Sequence, residues 1–139
     1  MATTTATITL ASSDIADNSL SISNTMTMTT AGTTTGITET TGLARRKVAS
    51  ASLADLITVA NTDVTAAKSA KVYIKNTSTA TDKYGLIGVG DSSGTPIYLG
   101  RLYGGDWMLF PWDANSGEDI TLTMNDATET VIEYMVFFE

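Results

Sequence analysis

The stretch Leu99-Gly100-Arg101-Leu102-Tyr103-Gly104-Gly105-Asp106-Trp107-Met108-Leu109-Phe110-Pro111-Trp112 gathers glycines, aromatics and apolar residues more tightly than any other part of the chain. It reads as strand, turn, strand. Gly104-Gly105 supplies a backbone free to take positive φ. Trp107 to Phe110 is then apolar on both faces, as a strand covered on both sides requires. Pro111, which has no N–H to give to a central ladder, closes the run. The stretch is expected to form the middle of a β-sandwich core against which the other strands pack.

Working outward, the flanking sequence repeats the pattern of short strands broken by turns. On the N-terminal side, Val72 and Ile74 share one face of Lys71–Lys75, and Tyr84–Val89 follows. Gly90-Asp91-Ser92-Ser93-Gly94 then turns the chain into a short strand from Pro96 to Leu99. On the C-terminal side, the loop 113–118 leads to Ile120, Leu122 and Met124, which alternate with Thr121 and Thr123 as a half-exposed strand. After a turn at 125–128, Val131 to Phe138 is apolar on both faces at its end, so it belongs inside a sheet or an interface. Ser52 to Ile57 reads equally as a capped helical turn with Ser52 at its start or as a strand. Six to eight such strands point to an all-β fold, an antiparallel β-sandwich or jelly-roll-like domain over 45–139.

Residues 1–44 differ in composition, being rich in Thr and Ser. Ile8 and Leu10 alternate with threonine and alanine, and Leu20, Ile22, Met26 and Met28 alternate with serine and threonine, the period of a strand. β-Branched threonine favours the extended backbone. The apolar stripe is too thin to be stable alone, so this region must lie against the sandwich or against another molecule. It is expected to be either an extended arm or a hairpin, with 31–36 and 40–42 as the flexible joints. The repeated Thr-x-Thr pairs lack the fixed period an ice-binding ladder needs, so the threonines read as strand formers.

The composition removes several chemistries. With no cysteine and no histidine, a disulfide framework, the common zinc ligands, a thiol nucleophile and an imidazole base are all excluded. No enzyme activity, catalytic residue or cofactor is expected. The net charge of −7 is unevenly spread: −3 over 1–44, +4 over 45–83 and −8 over 84–139. An acidic balance disfavours nucleic acid. No apolar run approaches membrane-spanning length, and the N-terminus has no secretory pattern, so synthesis in the cytoplasm is expected. Arg45-Arg46-Lys47 is the one dense basic cluster, too small for a nucleic-acid site and read as a solvated turn or as ion-pair partners for the acidic C-terminal half.

Three further constellations invite chemistry. Asp113 to Asp119 has the oxygen ligands of a calcium loop, but its glycine is one position early and the closing glutamate is missing, so a hairpin loop is expected instead. Trp107 and Trp112 between Asp106 and Asp113 could form a sugar-binding platform or a glycosidase carboxylate pair. In a sandwich, tryptophans embedded among Met, Leu, Phe and Pro are more often core.

The series Lys71-Val72-Tyr73-Ile74-Lys75-Asn76, Gly100 to Trp107, Phe110-Pro111-Trp112, Asp119-Ile120-Thr121 and Ile132-Glu133-Tyr134-Met135 resembles the small all-β virion proteins of tailed bacteriophages, especially cyanobacterial ones. The likeness covers about half of the chain, and its motifs are turns and core strands, which specify a fold better than a role. The small size, acidic balance and extensible N-terminal part look most like a capsid cement (decoration) protein. That resemblance implies a virion protein on the capsid surface, commonly a homotrimer, whose partner is the major capsid protein. The implied partner-binding residues are Ile8, Leu10, Leu20, Ile22, Met26 and Met28 on the arm, Arg45, Arg46 and Lys47, and Phe137 and Phe138 at a threefold contact. A neck, tail or fibre protein is the alternative within the virion, and a carbohydrate-binding module the alternative outside it.

Overall fold

A computed structural model describes residues 3–15, 18–30, 32–50, 53–62, 64 and 70–139. Their contacts divide into two units, 1–38 and 39–139, with the division six residues ahead of the compositional boundary at 44. The difference arises because residues 39, 40 and 44 pair with the C-terminal strand of the larger unit.

The first unit is a hairpin of β1 (Thr4–Ser12) and β2 (Leu20–Met28), nine paired positions in unbroken antiparallel register from Thr4↔Met28 to Ser12↔Leu20. Of the two forms expected for this region, the chain takes the hairpin rather than an extended arm. Beyond β2 the chain turns again, with a bridge between Thr29 and Gly36 and an Ile37 N–H donated to the Met28 carbonyl.

The second unit holds β3 (Glu39–Thr40), β4 (Ala44–Val48), β5 (Ala54–Ile57), β6 (Ala70–Asn76), β7 (Tyr84–Val89), β8 (Ile97–Tyr103), β9 (Trp107–Trp112), β10 (Ile120–Met124) and β11 (Thr130–Phe138). Residues 54–57 form a strand, and the helical turn comes later, as a 3-10 turn at Val59–Asn61. Ser52 lies outside the described residues. Four antiparallel pairs are nested: β4 with β11, β5 with β10, β6 with β9 and β7 with β8. Strands β4–β7 thus fold back on β8–β11 as one long hairpin whose tip is the turn after β7. Two further pairs, β6 with β11 and β7 with β10, roll that ribbon into sheets ordered β4-β11-β6-β9 and β5-β10-β7-β8, with β3 also on β11. This is the jelly-roll form of the sandwich.

The two inner faces share one core. Val72, Ile74, Ile132 and Val136 come from one sheet, Leu56, Ile57, Ile87, Ile120 and Leu122 from the other. β6 shows why: its side chains alternate buried and half-buried along its whole length, the period-two pattern of a strand with one face inside.

Four sequence expectations need correction. The stretch 99–112 is not the middle of the core, because β8 is the last strand of one sheet and β9 the last of the other. Six of the seven β8 residues, all but Leu102, are exposed, as is Trp107. Pro111 does not end its strand either; it pairs with Lys71 inside β9, an edge strand where a missing N–H is tolerated. The loop 113–119 is a crossover between sheets, not a hairpin loop, since β9 and β10 lie in different sheets. Finally, β10 is not half exposed: Thr121 is fully buried, with Tyr98 and Pro96 folded over the outer face of the sheet beside Gly88.

The turn between β8 and β9 uses its two glycines differently. Gly105 takes φ +89°, while a Cβ on Gly104 would collide with the Ala80 carbonyl oxygen.

Candidate functional site

The register of β1 against β2 sorts the hairpin into two faces. Thr7 lies across from Thr25 and Thr9 across from Ser23, their hydroxyls 2.8 Å and 3.4 Å apart. These belong to a face of hydroxyls that continues with Thr5, Thr27 and Ser21. The other face carries Ala6, Ile8, Leu10, Leu20, Ile22, Met26 and Met28, broken only by Asn24 and the end residues Thr4 and Ser12. The six apolar residues expected to bind a partner therefore share one face. Met28 is buried, while Ile8, Leu10, Ile22 and Met26 keep between 41% and 47% of their surface exposed.

The hairpin's edges are also open. Neither strand contains a charged residue, a proline or a register shift. Charges, prolines and bulges are the devices by which natural edge strands avoid pairing with other chains. An isolated two-stranded hairpin is at best marginally stable in water. Among the described residues no third strand pairs with either edge.

The remaining expected partner residues lie in the jelly roll. Arg45, Arg46 and Lys47 are consecutive on β4. Arg45 binds Glu133 at 2.9 Å, Lys47 approaches Glu129 at 3.6 Å, and the Arg46 guanidinium donates to the Asp55 carbonyl. The cluster is spent largely on the chain's own acids. Phe138 is buried in the core, and Phe137 is half-buried on the central strand β11, opposite Thr40 and Lys71. Their two-faced apolar pattern is that of a strand with one face in the chain's own core, Phe138 among the core residues.

The two tryptophans of the possible sugar platform are placed differently, Trp107 exposed beside Asp106 and Trp112 inside. Trp112 is buried, its indole N–H donating to the Glu118 carbonyl at 2.8 Å, so it is core and cannot stack on a sugar. In the 113–119 loop, Asp113 accepts from the Asn115 amide at 2.8 Å and Asp119 from the Val59 N–H at 2.8 Å. Among the described residues no group of three or more carboxylates gathers in a way that could hold a metal ion.

A second exposed apolar surface, which the sequence reading placed in the core, follows β8 into β9. Leu99 lines two clefts, one of about 410 Å³ with Ile87, Arg101, Asp106 and Trp107, the other of about 280 Å³ with Val89, Phe110 and Trp112. The Arg101 guanidinium sits 4.7 Å from the Tyr84 ring centre, and Tyr84 packs on Tyr103 at 5.2 Å. Tyr103, and then Tyr84, raises the pKa of Arg101, which stays charged. The signal for this edge was Pro111, whose missing N–H speaks for an edge strand as well as for a strand end.

Comparison with protein-family models, curated proteins and solved structures gave no match to this chain.

Proposed function

We propose that this chain is a structural protein of a virion, a cement protein that lies on the outside of a phage capsid and clamps neighbouring major capsid subunits. The observation that carries the reading is the β1–β2 hairpin, with one apolar face and two uncharged, uninterrupted nine-residue edges. Such an element adds to the open sheet edge of a neighbour through main-chain hydrogen bonds, and its alternate side chains set the register without a deep pocket. Burying each of Ile8, Leu10, Ile22 and Met26 adds on the order of 1 kcal/mol of driving force. A ligand that touches two adjacent subunits stabilises the assembled shell by mass action. The jelly roll itself serves many roles and speaks only for the architecture.

The test is the copy number of this protein in purified particles, measured by mass spectrometry against the major capsid protein. A ratio near one, or one trimer per few capsid subunits, supports cementing. A few copies per particle would move the protein to the neck or tail, and its absence from particles would overturn the virion reading.

A further inference from the structure

The exposed large apolar residues of the second unit are concentrated on one segment. Ile97, Tyr98, Leu99, Tyr103 and Trp107 lie within eleven residues, with Ile97 76% and Leu99 and Trp107 each 50% exposed. They lie on the last strand of one sheet and at the beginning of the last strand of the other. Leu99 and Trp107 line one cleft with Arg101 and Asp106, and exposed apolar side chains gathered in this way mark an interaction surface.

What kind of partner fits follows from three features. First, both edges are interrupted. The β8 register against β7 skips Leu99, which makes Leu99 the extra residue of a bulge, and Pro111 has no N–H to offer from β9. An added peptide strand would find a broken ladder here, unlike at the hairpin, so the patch suits a folded surface that meets side chain to side chain. Second, residues 97–112 hold one charge of each sign, Arg101 and Asp106, within a region 84–139 that carries −8, while the second cleft beside Leu99 adds the carboxylates of Asp113 and Glu118. Third, Arg101 and Asp106 line the same cleft, and neither forms an ion pair with another described residue. A patch carrying one cation and one anion is complementary to itself, because each can pair with the other's counterpart on a second copy.

We propose that the β8–β9 edge is the contact between copies of this chain, with Leu99 and Trp107 at its centre and Arg101 of one copy facing Asp106 of the next. This contact is independent of what the hairpin binds. It places the contact elsewhere than at Phe137 and Phe138 on β11.

The experiment is sedimentation equilibrium of the full chain over roughly 1–200 µM, with far-UV circular dichroism to confirm folding of each variant. The unaltered chain is expected to self-associate. Leu99→Asp combined with Trp107→Ser should weaken association at least tenfold. Arg101→Glu and Asp106→Lys should each weaken it severalfold, and the two together should restore it. Ile8→Asp with Ile22→Asp, on the hairpin, should leave it unchanged. A monomer across the whole range overturns the proposal, as does association that survives the patch variants and disappears with the hairpin variants. If the Leu99 and Trp107 variant fails to fold, the restoration by the exchanged charges still decides. Because no capsid is present, failure here is separate from failure of the cement reading.

Discussion

Asn76 shows how one buried polar side chain can hold several elements together. It is fully buried at the end of β6, and its amide donates to the carbonyls of Lys83 at 3.2 Å and Leu102 at 3.0 Å while accepting the Ser78 N–H at 3.0 Å. Its main chain adds bonds from Gly105 and to Asp106, both at 3.0 Å. The side chain thus ties the end of β6 to the approach to β7 and to β8, and through its own backbone to the turn before β9. Asn76→Ala strands three partners, the Leu102 carbonyl buried and the Lys83 carbonyl and Ser78 N–H part-buried, and each loss costs on the order of 1 kcal/mol. The variant is expected to lose about 2–4 kcal/mol in urea unfolding, well beyond a surface change. Thr121 is the opposite case. Its hydroxyl is buried and has no hydrogen-bond partner among the described residues. Thr121→Val keeps the shape, removes the desolvated oxygen, and is expected to stabilise by about 1 kcal/mol, a rise of a few degrees in Tm. Neither role was legible in the sequence. Asn76 reads there as the polar residue that ends a strand, and Thr121 as the outward member of an alternating pair; what buries them comes from other strands, distant in sequence.

At the scale of elements, the chain carries two kinds of edge, and they imply different uses. The hairpin strands are uncharged and unbroken, whereas the β8 and β9 edges are interrupted by a bulge at Leu99 and by Pro111. The hairpin is a separate contact unit, and the core cluster draws no residue from it. Ile8→Asp with Ile22→Asp is therefore expected to shift the main unfolding transition by no more than about 0.5 kcal/mol while, under the cement function proposed above, weakening attachment to capsid at least tenfold. Differential scanning calorimetry and a particle-binding assay read the two effects separately. A large fall in Tm would show that the hairpin's apolar face stabilises the jelly roll. The hairpin was readable from the sequence because a local pairing needs only a period and a turn. The edge position of β8 and β9 was not. Trp107 to Phe110 has the same two-faced apolar pattern whether a strand is covered by its own sheets or is left beside an exposed patch, and only long-range pairing distinguishes the two.

Across the whole molecule, nested pairing sets an order of sequence separation. β7 and β8 are joined by a short turn, with Val89 opposite Ile97, whereas β4 at 44–48 must find β11 at 130–138. Closing a loop costs more entropy as it lengthens, so the innermost pair is the cheapest to form and the outermost closes last. All-β topologies dominated by such non-local pairs fold in milliseconds to seconds. Two buried isoleucines test the order with the same chemistry. Ile87, on β7, is in the innermost pair, and Ile132, on β11, is in the outermost, facing Arg46 of β4 and Asn76 of β6. Ile→Val at either site should cost about 1 kcal/mol at equilibrium. At Ile87 most of that loss should appear as slower folding, a φ-value above about 0.5. At Ile132 it should appear as faster unfolding, with a φ-value below about 0.3. Stopped-flow chevrons on the two variants measure both. The reverse ranking would mean that the chain ends meet first and that the ribbon is rolled from its open end toward its tip.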